Sequence, residues 1–476
     1  MKKFLSILCT LSIIFTLCSC KNTATSSDLN SSVSSNASSN TSSENSSLSS
    51  NSSLENSKEQ NTSSDSSSQR EEPQKPIKCE HSYTEATCTE PSVCVLCNNI
   101  KESALGHSFT YELCSRVGCT AKNPNWINWY TSGDVTITAA EVEQIVSNQY
   151  KKPRNVIFMI GDGMGANDIQ LTERNKEGCF DFGLVLNKIK YTGYATTHSA
   201  NSSVTDSAAS ATALATGIKT INGYVGVSPT GETLTNVSEI ARQNGKKIGI
   251  VTNDYITGAT PSGFTIHNIS RDNSSELAKA FVNFKPDVLI GQGFSEFVSF
   301  DLSAFLVASN IEAINHTLNN DPRCQKPFMG FFSENTYSQM NNTLAYCTET
   351  AINRLKNNPK GFFLMVENAG TDKAGHKNTI KGKVNAVVNF DRAVATVLKF
   401  MKNNPDTLLV ITSDHETGGV QLPQGKFLLD DSLFTTANHT GTPVRTFAIG
   451  YGAEYFHNKT VDNTDIAKFV IEAVKN

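Results

Sequence analysis

The chain of 476 residues predicts an α/β protein: a three-layer α/β/α sandwich on a mostly parallel central sheet, preceded by a small Cys/His-rich module. Three observations carry that prediction. Several runs in the C-terminal two thirds are apolar throughout, without polar alternation, as strands buried on both faces are. Amphipathic segments of helical period lie between them. Only 38% of residues are hydrophobic and 18% charged, so a long non-globular segment must dilute the folded part. Lys plus Arg total 41 against 45 for Asp plus Glu, a formal charge of −4, and no long basic run offsets it. That balance argues against a nucleic-acid partner.

In chain order, residues 1–20 read as an export signal. Lys2 and Lys3 open it, an apolar run from Phe4 to Leu17 follows, and Ser19 and Cys20 stand at the cleavage point. The run is short for a bilayer-spanning helix, which needs about 20 apolar residues. Its end resembles a bacterial lipoprotein box with Cys20 at the lipidated position; a plain secretory signal is the alternative. Lipidation implies an exported chain anchored at the outer face of the bacterial cytoplasmic membrane, touching it through the lipid alone. Residues 21–77 form a tether. From Asn22 to Arg70 it is mainly Ser and Asn, with no Ile and no aromatic residue, and cannot bury enough apolar surface to fold. A random coil of about 50 residues spans roughly 40 Å.

Residues 78–122 hold six cysteines and two histidines, in the order Cys79, His81, Cys88, Cys94, Cys97, His107, Cys114 and Cys119. His81-Ser82-Tyr83 leads to Cys88 over the same distance as His107-Ser108-Phe109 leads to Cys114. Cys94-Val95-Leu96-Cys97 has the spacing that lets one turn present two thiolates to a tetrahedral zinc. A zinc-ribbon-like module with a structural zinc is one reading, disulfides in an exported chain are a second, and a disordered segment is the third. Residues 123–153 form a linker with a short helix pattern at Ala139–Val146.

Residues 154–476 make up the α/β domain. Apolar runs at 155–160, 247–251, 286–290, 361–366, 407–411 and 444–449 predict strands, and 235–244 and 385–403 predict helices. Ligands in open α/β sheets bind beyond the carboxyl ends of strands, and here those ends are rich in metal-binding residues. Gly161-Asp162-Gly163-Met164-Gly165 follows the first run. Glu367 and then Thr371-Asp372-Lys373-Ala374-Gly375-His376 follow the fourth, and Asp414-His415-Glu416-Thr417 the fifth. Asn438-His439-Thr440-Gly441 leads into the last. Each motif alone is an ordinary turn or surface pair. Their recurrence points to a catalytic metal, because carboxylate with imidazole and no cysteine suits zinc with an open position. Asp372 and His376, one helical turn apart, can face one ion. His198, His267, His316 and His457 read as ordinary core or surface residues. Asp206-Ser207 opens a run of small residues that stops at Gly217, which puts the Ser207 hydroxyl at a helix N-terminus beside free N–H groups. No Ser-His-Asp spacing is evident, so metal coordination would have to activate the serine.

Asp206-Ser207-Ala208-Ala209-Ser210-Ala211-Thr212-Ala213 with Thr220-Ile221-Asn222-Gly223, taken with these strand ends, resembles the alkaline phosphatase family over roughly residues 155–450. The resemblance implies a site of two zinc ions and one magnesium ion. One zinc would be held by Asp372, His376 and His439, and the second by Asp162, Asp414 and His415 with Ser207 approaching it. Asp162 would bridge towards magnesium, which also takes Thr260 and Glu367. Arg271 looks like the family's phosphate clamp, its planar fork suiting two phosphate oxygens. The implied reaction is hydrolysis of phosphate monoesters through a phosphoserine on Ser207, by two in-line displacements. A phosphodiesterase or another metal-dependent hydrolase of the same superfamily is the rival reading, and Arg271 argues against it because a monoester dianion offers two free oxygens.

The chain departs from the family pattern in three places. Gly258, two residues before Thr260, stands where members usually carry Asp or His, which leaves the magnesium's surroundings short of a partner. With no carboxylate at 258, Lys373 is expected to be free to bind substrate phosphate. Only 23 residues separate His415 from His439, little room for an inserted subdomain, so the family's dimer is less secured here. A Cys324–Cys347 bridge is one pairing the sequence leaves open, with Cys179 as the third cysteine of the region.

Overall fold

The computed structural model describes residues 135–316, 326–333, 342–425 and 429–476, with short stretches between 82 and 104. Cys20, the tether, Cys324, and every cysteine and histidine of the N-terminal module lie outside the described residues. Of that module, strands β1 (Ser92–Val93) and β2 (Ile100–Glu102) pair antiparallel. Among the described residues no helix is long and apolar enough to cross a membrane.

The α/β region is built on a ten-stranded sheet in the order β14-β4-β13-β10-β3-β9-β5-β6-β8-β7. Its strands are β3 (Asn155–Gly161), β4 (Tyr191–Thr196), β5 (Lys247–Tyr255), β6 (Val288–Gln292), β7 (Leu306–Ala308), β8 (Phe328–Phe331), β9 (Phe362–Asn368), β10 (Thr407–Thr412), β13 (Val444–Ile449) and β14 (Thr460–Asp462). Only β13 runs against its neighbours, between β10 and β4. A separate ribbon pairs β11 (Glu416–Thr417) with β12 (His439–Thr440). The six strands expected from apolar runs are all present. Those not foreseen are shorter or less apolar: β4 is half-exposed along much of its length, and β7 and β8 have three and four residues.

Both faces of the sheet are buried, which is why the strand sequences show no polar alternation. Ile157 and Met159 of β3 join one core, and Val156, Phe158 and Ile160 join the other. The first face is covered by α1 (Ala139–Val146), α7 (Thr343–Leu355) and α9 (Ile380–Lys402). The second is covered by α3 (Ser207–Thr216), α4 (Val237–Gln243), α6 (Ser274–Phe284) and α10 (Asn463–Val474). The layers are therefore α/β/α. Three shorter or peripheral helices complete the frame around the site: α2 (Ala166–Asn175), α5 (Ala259–Gly263) and α8 (Gly370–His376).

The folded core begins earlier than residue 154. Helix α1, assigned above to a linker, is closed by a capping box between Thr138 and Glu141. It buries Val142 and Ile145 in the same core as α9, and burial of such side chains is worth about 1.5–3 kcal/mol each. Glu141 also pairs with Lys402 at 2.9 Å. Helix α9 starts at Ile380, five residues before the expected 385, because Thr379 caps it by accepting from the Gly382 N–H.

Two glycines set the spacing around the site. Gly263 lets α5 approach α3: a Cβ there would lie 2.9 Å from Ala211 Cβ and 3.0 Å from Thr212 N. Gly163 adopts φ +67°, and a Cβ there would lie 2.6 Å from Asp372 Cα. The loop after β3 and helix α8 can therefore touch only with glycine at 163.

Candidate metal centre

The strand ends converge as expected. Asp162 follows β3, Glu367 lies near the end of β9, and Asp414 and His415 follow β10. Thr260 sits in α5, Asp372, Lys373 and His376 in α8, and His439 in β12. Ser207 is the first residue of α3, with Asp206 as the cap accepting from the Ala209 N–H at 2.9 Å.

Among the described residues two groups of ligand atoms form, sharing Asp372: Asp372 with His376 and His439, and Asp162 with Asp372 and His415. In the first, Asp372 Oδ1 lies 3.3 Å from both His376 Nε2 and His439 Nε2. Those two Nε2 atoms are 3.2 Å apart. Their other nitrogens meet backbone carbonyls, His376 Nδ1 at 2.7 Å from Ala437 O and His439 Nδ1 at 3.0 Å from Thr205 O. Each Nδ1 therefore carries the proton, and each Nε2 turns a lone pair inward. That is the arrangement of metal-binding histidines, whose outer nitrogen is fixed by a carbonyl.

The second group is deeper. His415 Nε2 lies 3.1 Å from Ser207 Oγ, 3.4 Å from Asp414 Oδ2 and 3.5 Å from Asp162 Oδ1. Thr417 fixes its tautomer. The Thr417 hydroxyl donates to Asp372 Oδ1 at 2.6 Å, so at 3.1 Å it can only accept from His415 Nδ1–H. His415 Nε2 is then a bare lone pair facing a hydroxyl and two carboxylates.

Electrostatics point the same way. Asp162 is pushed well above the usual carboxylate range by burial and by the charges of Asp414, Asp372 and Glu367. Burial lifts Glu367 to about 8, against a hydrogen bond from Thr252 and with Asp254 adding repulsion. Asp414 rises to about 6, again mainly by burial. Burial pushes His415 down to about 3. Mutually repelling buried carboxylates are costly unless a cation lies among them. Asp162 Oδ1 and Asp414 Oδ2 are buried without a hydrogen-bond partner among the described residues. These orphaned oxygens and inward lone pairs fit divalent metal ions.

Arg271 lies beside helix α3. Its Nη1 donates to Asp206 Oδ2 at 3.1 Å, and the same oxygen accepts from the Gly223 N–H at 3.0 Å. One carboxylate thus ties together the cap of α3, the turn at Gly223 and the arginine. Arg271 is also close enough to Asp162 and His415 to shift their proton affinity.

Lys373 corrects the expectation that it stands free. Its Nζ meets Asp254 Oδ1 at 2.5 Å. The carboxylate missing at 258 is supplied from the end of β5, where Asp254 also repels Glu367. A side chain at 258 would be crowded, since a Cβ there falls 2.9 Å from Tyr255 O.

Four supporting residues were not singled out from sequence as part of the site: Thr252, Asp254, Ser210 and Thr417. Thr252 Oγ1 donates to Glu367 Oε2 at 2.5 Å, and Ser210 Oγ to Asp414 O at 2.7 Å. Ser210 and Thr417 stand inside the motifs already marked, three and two residues after Ser207 and His415. Helical and strand periodicity put both on the side of their motif neighbours. Of the residues read as ordinary, His267 is structural, meeting Gly226 O at 2.7 Å and Glu239 at 3.1 Å. Cys179 and Cys347 are free thiols.

A family model for alkaline phosphatase matches residues 153–297 and 310–430. The chain belongs to the alkaline phosphatase family. It is 34% identical over 314 residues to alkaline phosphatase 4 of Bacillus subtilis, covering 59% of this chain and 66% of that relative. The chain thus spans just under two thirds of that curated relative's length. Among solved structures it is similar to the alkaline phosphatase of the Antarctic bacterium TAB5, with 31% identity and a TM-score of 0.61 over 68% of this chain and 99% of that one. A variant of the same TAB5 alkaline phosphatase, solved with magnesium bound in its M3 site, matches at 29% identity and a TM-score of 0.58 over 69% and 99% of the two chains.

Proposed function

We propose that this chain hydrolyses phosphate monoesters to an alcohol and inorganic phosphate through a phosphoserine on Ser207, with two zinc ions and one magnesium ion as cofactors. The observation that carries the reading is the convergence of Ser207 Oγ, Asp162 Oδ1 and Asp414 Oδ2 on His415 Nε2, with Ser207 the first residue of a helix. Asp372, His376 and His439 would hold one zinc, and Asp162, Asp414 and His415 the other. Asp162, Thr260 and Glu367 would hold magnesium. Ions bound there supply Lewis acidity, which lowers the serine pKa and neutralises charge on the transferring group.

The chain's own groups do the rest. Ser207 Oγ gives up its proton to solvent and attacks phosphorus, forming the O–P bond as the ester oxygen departs on the opposite side with the bonding electron pair and takes a proton from water. Arg271, aimed by Asp206, donates to two non-bridging oxygens of the monoester. The free N–H groups at the start of α3 add positive potential where the phosphoryl group sits. Water then displaces Ser207 from the opposite side and releases phosphate, a second in-line step that retains configuration at phosphorus. Export on residues 1–20, lipid on Cys20 and a tether at 21–77 would hold this chemistry at the outer face of the cytoplasmic membrane.

The test is hydrolysis of p-nitrophenyl phosphate against its bis-ester, at alkaline pH with zinc and magnesium supplied. Monoester preference, lost in Ser207→Ala, is the expected result. Preference for the bis-ester would overturn the reading and the role given to Arg271.

A further inference from the structure

Among the buried charges with no place in the chemistry above, one reaches the loops of the site. Lys383, in the first turn of α9, is completely buried. Its ammonium spends all three donors: on Asp168 Oδ2 at 2.7 Å, Thr417 O at 2.7 Å and Gly163 O at 3.0 Å. A buried Lys–Asp pair by itself says little, because such pairs are often replaceable by apolar residues. The other two acceptors are what matter.

Gly163 directly follows Asp162, and its N–H donates to Asp414 Oδ1 at 3.1 Å. Thr417 hydrogen-bonds Asp372 and His415 through its hydroxyl. The Thr417 N–H also reaches Gly163 O at 3.2 Å. One ammonium therefore bonds the two loops that carry Asp162, Asp414 and His415, and through Thr417 it backs Asp372. Asp168 completes the clamp from α2, its Oδ2 also accepting from the Gly165 N–H at 2.8 Å. The bonds are charge-assisted and shielded from water, where such bonds are strongest.

We propose that Lys383 is a positioning residue of the metal centre: it sets the separation of the loops after β3 and β10, and so the affinity of the deeper metal group. The inference rests on the metal-dependent reading above, and its test reads metal binding without turnover.

The experiment uses the full chain stripped of metal, with zinc added in competition with a chromophoric chelator. Lys383→Met keeps the length of the side chain and removes the clamp. Lys383→Met/Asp168→Leu removes the clamp without leaving a buried unpaired carboxylate. Both variants are expected to bind their tightest zinc about 10- to 100-fold more weakly than wild type, the usual cost of losing a partner that orients ligands. The cobalt-loaded forms should show altered visible bands. Zinc affinity within threefold of wild type in either folded variant overturns the proposal. So does recovery of wild-type affinity in the double variant, because the unpaired Asp168 charge would then explain the loss. A double variant that fails to fold overturns it too, since the lysine would then serve the fold and not the site. Lys383→Met alone failing to fold leaves the double variant to decide.

Discussion

The two histidine-bearing halves of the metal centre are built differently. Asp162, Asp414 and His415 are buried, on loops that follow central strands β3 and β10. In the other half the side chain of His376 is 43% exposed, and its helix α8 has only seven residues. Burial holds His415 down at about 3. His376 lies above its ordinary value, chiefly through its hydrogen bond to Asp372. His439 also lies above it, because Asp372 outweighs burial. A deep imidazole is thus kept ready for metal by the fold, whereas a shallow one is available only when protons do not compete.

The largest effect expected from that contrast is between two substitutions. His415→Ala should lower kcat at least 100- to 1,000-fold, on the order of losing one preorganised transition-state contact. His376→Ala should cost only about 10- to 100-fold, with much of it restored by excess zinc, because a weakened site is refilled by mass action. Steady-state rates across a zinc titration check both. Equal, unrescued losses would break the distinction between the halves.

A second expectation concerns acid. The raised imidazoles of His376 and His439 take up protons early as pH falls and lose their metal. His415 stays neutral down to about 3 and keeps its ligand atom. Zinc held through His376 and His439 should therefore be lost first as pH falls, and zinc held through His415 only in stronger acid, as zinc content after gel filtration would read. Simultaneous release would show that the halves act as one unit.

The smallest effect belongs to the ion pair at the rim. Lys373 and Asp254 are partly exposed, and such pairs contribute up to about 1 kcal/mol. Asp254→Ala should free the ammonium for phosphate and tighten product inhibition about two- to fivefold, an effect that fades in high salt. An unchanged inhibition constant would place Lys373 outside the phosphate's reach.

Much of this site was legible because its chemistry is compressed into short motifs at strand ends. Asp162, Ser207, Asp372, Asp414 and His415 each sit in a local run whose residue types announce a ligand or a capped helix. The expectation for Lys373 failed for the opposite reason. Its partner Asp254 lies 119 positions away and four before the residue where a carboxylate was sought. Lys383 was invisible in the same way, since a lysine in a first helical turn reads as solvent-facing until the loops it bonds are folded over it.

By itself, the sequence determined the α/β class, the six principal strands, the helix that opens at Ser207 and most of the residues that gather at the site. The class, the strands and the helix follow from local physics, namely the period of apolar residues, capping and glycine at the helix end, whereas Thr260 and Arg271 were legible only through the family resemblance. Only the tertiary structure decided that α1 belongs to the core, that β13 is antiparallel, and that Asp254 takes the lysine expected to be free. It also decided which imidazole is deep and which is shallow. Depth, pairing and proton affinity depend on what the rest of the chain brings within a few ångströms, and no local pattern encodes that distance.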